Sequence, residues 1–217
     1  MKFFARLFEL LSIAKPYSNQ GIDNDFEEYL QSYYLHKKND VIDKAILFVN
    51  TTLVNNAQLG PSLIGFFGAL FLENINIKDE FIAKSSKIKS NNTRNIMLNI
   101  SKININEFYS QSDIEPVYND MNWASYFATG NVRYIAAIVA NIKYANNRDD
   151  ITLFMAGSTA KWSLCANAKQ DNGVKKYLSL IKSEDNEIDL ILQNEPDLFQ
   201  REMSHVVAEQ KRKGIWN

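Results

Sequence analysis

From Ala45 to Leu72 the chain carries no charged residue. A charge-free stretch of this length either crosses a bilayer or folds into elements buried inside a protein. Its polar content decides between the two. Asn50, Thr51, Thr52, Asn55, Asn56 and Gln58 fall in it and would be penalised in hydrocarbon. The purely apolar part, Leu63–Leu72, is far short of the ~20 residues a span requires. Pro61 suits the first turn of a helix and restarts the pattern. The run is therefore predicted to be two buried helices joined at Asn55–Gly60, with no transmembrane span. Gly65 and Gly68 in the second are read as places where another backbone comes close.

The rest of the chain points the same way. Eight glycines and four prolines among 217 residues are too few to turn the strands of a sandwich or barrel. Apolar residues recur instead at spacings of three and four. The fold class expected is all-α, an irregular helical array of about ten helices, either solenoid-like or an orthogonal bundle. Leu63–Leu72 and Ile151–Cys165 are expected at its centre. No repeat period is present, since Trp123 and Trp162 have dissimilar neighbours. One domain is expected over residues 1–217. The stretch 104–116, polar, irregular and ending at Pro116, is the best place for an internal boundary.

Several helix ends can be read directly. Asp149 or Asp150 caps the long helix that reaches about Ala168, and Pro196 opens the last one. Thr129-Gly130 reads as a left-handed C-terminal cap, followed by one helix from Asn131 to Ala145. Trp123 and Trp162 lie on apolar faces and are expected in the core. Trp216, beyond Gly214, is expected at a frayed end. At the other terminus Phe3, Phe4, Leu7, Phe8, Leu11 and Ala14 form one face of a helix. Arg6 and Glu9 interrupt that run, so it is not a secretory signal. It is read as docked on the chain's own core, with a partner or a membrane surface as the alternative.

Charge and cysteine content narrow the function classes. With 24 Lys+Arg against 25 Asp+Glu, the net charge of -1 gives no global attraction to nucleic acid. The basic cluster Lys211, Arg212, Lys213 has no second cluster to support it and fits the negative end of a helix. The single cysteine, Cys165, allows neither an internal disulfide nor a cysteine-based zinc site. Glycine-rich phosphate loops and dinucleotide fingerprints are absent. The sequons at Asn50, Asn91 and Asn99 carry no meaning without a secretory signal.

Two short motifs could carry chemistry. Ser158-Thr159-Ala160-Lys161 matches S-x-x-K, in which a helical turn sets a lysine amine beside a serine hydroxyl to take its proton. The companion K-T-G and S-D-N elements are missing, so the default is a helix residue beside a snorkelling lysine. Glu202-Met203-Ser204-His205 is an E-x-x-H, and Glu209 continues the same side of the helix. A di-iron bundle needs two such units and further carboxylates. The other histidine, His36, has no glutamate three residues before it. A surface His–Glu pair accounts for the motif, and neither a metal nor a cofactor is expected.

WASYFATGNVRYIAAIV and AGSTAKWSLCANAKQ, with PSLIGFFGALFLEN upstream, carry a resemblance. Over about Pro61–Lys182 the chain resembles an uncharacterised family of helical proteins from proteobacteria, marked by a W-x-x-[FY]-F-A-T-G turn and an A-x-x-A-K-W-S-L helix. The resemblance implies a helical fold and no named activity, so it assigns no functional residue. Gly157-Ser158-Thr159 departs from the plainer alanines of that pattern, which tells against Ser158 as a shared nucleophile.

The reading that follows is a non-catalytic helical interaction module of the bacterial cytoplasm. Its partner is another protein, and a toxin-neutralising immunity protein is one version. The alternative is a serine hydrolase built on Ser158 and Lys161.

Overall fold

The computed structural model describes residues 22–51, 60–182 and 186–216. Among them are thirteen α-helices and no strand, so the all-α helical array is what forms. No helix among the described residues is long and apolar enough to cross a membrane. The amphipathic stretch Phe3–Ala14 lies outside the described residues.

The chain divides into two compact units. The first runs to Phe108 and takes in Phe127–Gly130; the second takes Tyr109–Tyr126 and continues from Asn131.

In the first unit α1 is Ile22–Gln31, α2 Tyr33–His36, α3 Val41–Thr51, α4 Gly60–Glu73, α5 Ile75–Lys84 and α6 Asn91–Ile100. Between Ile22 and His36 the helix is broken at Ser32. There the hydroxyl donates to the carbonyls of Glu28 (3.0 Å) and Tyr29 (3.3 Å), competing with the helical ladder. The charge-free run supplies α3 and α4. Ile42, Val49, Phe66, Phe67 and Ala69 each expose about one per cent or less of their surface. Aromatic rings pack alongside them: Phe26 on Phe48 (4.4 Å), and in series Tyr33 on Phe66 (5.5 Å), Phe66 on Phe67 (5.1 Å), Phe67 on Phe71 (5.5 Å) and Phe71 on Phe81 (5.2 Å). Such offset and edge contacts add to the burial of apolar area that drives folding. Gly68 does give close approach, but to a side chain: an added Cβ would meet the Ile105 side chain at 3.1 Å. Asn74 and Ser90 cap α5 and α6 by accepting from Ile77 N and Thr93 N.

The segment read as irregular contains a helix, α7 (Ile105–Gln111), and Pro116 opens α8 (Pro116–Thr129) rather than merely ending what precedes it. A proline in the first turn forfeits no helical hydrogen bond, which is why the break and the start coincide. Gly130 follows with φ +76°, the left-handed cap expected of it.

The second unit is built around α10 (Ile151–Gln170), capped by Asp150, whose carboxylate accepts from Thr152 N (2.7 Å) and Leu153 N (3.1 Å). Around it lie α9 (Arg133–Val139), a 3₁₀ turn over Ile142–Asn146, α11 (Asn172–Ile181), α12 (Asn186–Gln193) and α13 (Pro196–Arg212). The expected continuous helix to Ala145 therefore ends early. Its last part tightens to 3₁₀ where its backbone comes against Gly157, which leaves no room for a Cβ there. The polar residues of α10 are largely internal. Thr159, Ser163 and Asn167 are buried and bond to backbone carbonyls of their own helix.

Trp216 is the clearest correction. It is buried, not frayed, because Gly214 adopts φ +71° and turns the chain back. Ile215 N then donates to the carbonyl of Gln210 (3.0 Å), and the indole packs on Phe154 and Met203.

Candidate functional site

Two helices bring the sequence candidates of the second unit together. On α10, Ser158 and Lys161 stand one turn apart. On α13, the apolar Phe199 and Met203 point inward while Glu202 and His205 remain exposed. Ser158, Lys161, Glu202 and His205 all line one cleft of about 410 Å³. Phe154, Phe199 and Met203 form its buried walls, and Arg148 and Arg201 add positive charge to its lining. Glu209 is not among the lining residues. It pairs with Lys213 at 2.6 Å, and that hydrogen bond holds its carboxyl below the usual glutamate range.

The state of each group limits its chemistry. Lys161 is ion-paired with Glu187 on α12 at 2.6 Å and lies 5.4 Å from the centre of the Phe199 ring. Its amine is thus already held in an ion pair. Ser158 is 7% exposed, and its hydroxyl has no hydrogen-bond partner among the described residues. Its neighbours behave differently. Thr159 donates to the carbonyl of Met155 (2.8 Å), Ser163 to that of Ala160 (3.2 Å), and on α13 Ser204 to that of Gln200 (2.9 Å). Arg148 lies over the Phe154 ring at 5.0 Å while one of its terminal nitrogens donates to the carbonyls of Ala145 and Asn147, both 3.0 Å away. Among the described residues no three histidine, cysteine or carboxylate groups come together as a metal site.

Beneath the cleft α8 and α10 share a polar contact that the sequence did not reveal. Asn119 donates to the carbonyl of Ala156 (2.8 Å) and to Thr159 Oγ1 (3.1 Å), and its own oxygen accepts from Asn141 (2.8 Å). Next to Asn119 in the chain, Asp120 is 2% exposed, and burial pushes its carboxyl up to about 8. The Cys165 thiol, pushed up to about 11 by burial, donates to the carbonyl of Asn194 at 3.2 Å, which leaves it unreactive.

The first unit has a smaller concavity, about 350 Å³, lined by Lys37, Asn39, Asn74 and Glu80 among others. Lys37 has φ +44°, closing a tight turn in which its N–H donates to the carbonyl of Tyr33 at 2.7 Å. Glu80 is taken by Lys84 at 2.7 Å.

Sequence reasoning found Ser158, Lys161, Glu202 and His205 as two unrelated motifs. It missed Arg148 and Glu187, whose relevance depends on helix packing and not on local spacing. No family model matches the chain, and neither a curated protein nor a solved structure matches it.

Proposed function

We propose that the chain acts by binding and makes or breaks no bond. It is a non-catalytic helical interaction module of the bacterial cytoplasm, with another protein as partner and the α10–α13 cleft as the binding face. The Lys161–Glu187 ion pair carries this reading. A lysine that serves as general base must hold a free amine beside its serine, whereas this one is held in an ion pair at 2.6 Å. The cleft also combines buried aromatic and thioether walls with a charged edge, the combination that binding sites use. No cofactor enters the reading. A toxin-neutralising immunity protein is one version of it, and proximity of the gene to a secreted-toxin gene would favour that version.

Affinity capture with the wild-type chain and with an Arg201→Glu variant tests the proposal. A protein held by the first and lost by the second supports it. Covalent labelling of Ser158 by a fluorophosphonate, abolished by Ser158→Ala, overturns it and favours the second reading, a serine hydrolase. One observation speaks for that alternative: the Ser158 hydroxyl is unbonded, lines a cleft and sits one turn from Lys161.

A further inference from the structure

We infer that the cleft receives the C-terminal residue of the partner chain, its α-carboxylate on Ser158 and Lys161 and its apolar side chain against Phe154, Phe199 and Met203. This rests on the interaction reading above and names the segment that enters. Ser158 is the first support. It is more than nine-tenths buried, lines the cavity and has no partner among the described residues, although nearby Thr159 and Ser163 bond to their own helix. A hydroxyl that opens onto a cavity without an internal partner is free to donate to a ligand there.

Lys161 is the second support. An ammonium has three N–H donors, and its ion pair with Glu187 does not exhaust them. Ser158 and Lys161 together thus offer donors one helical turn apart. The complementary group accepts only, and a carboxylate is such a group. Charge agrees. Arg148, Lys161, Arg201 and Glu202 line the cleft and Glu187 pairs with Lys161, which leaves one positive charge in excess and so matches a single carboxylate. Size agrees as well. About 410 Å³ lies at the low end of the ~300–1,000 Å³ range of ligand sites, enough for a chain end. The walls are held in place beforehand: Phe154, Met203 and Phe199 are 2%, 3% and 4% exposed, so little ordering is needed on binding.

Calorimetric titration of the full chain tests this with three probes: acetyl-Gly-Gly-Leu as the free acid, the same peptide as its C-terminal amide, and octanoate. The free acid is expected to bind, with the amide at least ten-fold weaker. Ser158→Ala and, separately, Arg201→Glu should each weaken the acid several-fold while circular dichroism remains that of the wild type. Arg201 is exposed, so its variant keeps the test valid if Ser158→Ala fails to fold. No binding of the acid at millimolar concentration, an amide that binds as well as the acid, or an unaffected Arg201→Glu variant would each overturn the inference. Binding of octanoate without the peptide acid would overturn it too, in favour of a free fatty-acid-like ligand. The two readings fail separately. If Arg201→Glu still captures the native partner, the interaction role survives and the chain-end site does not. If the peptide acid binds but Ser158 takes the fluorophosphonate, the site survives and the non-catalytic role does not.

Discussion

A methyl group added at Gly157 would lie 2.7 Å from the Cα of Ala145 and nearer still to the amide nitrogen of that residue. Backbone on both sides leaves no flexible side chain to move away. Gly157→Ala is therefore expected to cost about 3 kcal/mol, the upper end of ordinary overpacking, read as a lowered urea midpoint. An unchanged midpoint would show that the 3₁₀ turn yields freely. Gly130→Ala combines a different pair of penalties: a positive φ, and a Cβ 2.9 Å from the Tyr34 ring. It should cost about 1 kcal/mol or more in the same measurement. The sequence made Gly130 legible, because Thr-Gly at the end of a periodic stretch is a local signal. Gly157 was not legible as a necessity, because the atoms that exclude its side chain belong to another element.

At the scale of elements, caps were the most readable feature, since a cap is written within a few residues of the end it stabilises. Asp150, Pro196 and Gly214 mark ends that the structure keeps. What Gly214 does next was hidden. The same turn that stops α13 returns Trp216 to the core, and its side chain is 4% exposed on Phe154 and Met203. Trp216→Ala is expected to lower stability by about 3 kcal/mol in thermal or chemical unfolding, as for other buried aromatics. A loss of only a few tenths would restore the frayed-end view. Helix lengths inside the second unit were less readable for the same reason. The 3₁₀ turn over Ile142–Asn146 packs on α10, a contact that its own residues do not announce.

For the whole molecule, the all-α class followed from turn scarcity and periodicity, both of which are properties summed over the chain. Internal polarity did not follow, because a polar residue on a wheel looks the same whether it faces water or another helix. Asp120 shows the consequence. An unfolded aspartate loses its proton near pH ~3.9, whereas the buried one holds it until about pH 8. Between those values the folded state binds more protons than the unfolded state. The associated stability is complete below about pH 4 and is lost as the pH rises through about 8. The melting temperature should accordingly fall from pH 5 to pH 8.5, and Asp120→Asn should flatten that slope. An identical slope in the variant would place the titration elsewhere.

The ring of Phe154 has two close neighbours. Trp216 lies 5.0 Å from it, and the Arg148 guanidinium lies 5.0 Å from its centre. Because the same ring forms part of the cleft wall, the indole is one side chain away from whatever enters. The protein thereby contains its own optical reporter. With Trp123 and Trp162 replaced by phenylalanine, the emission of Trp216 alone would register occupancy of the cleft without an attached dye.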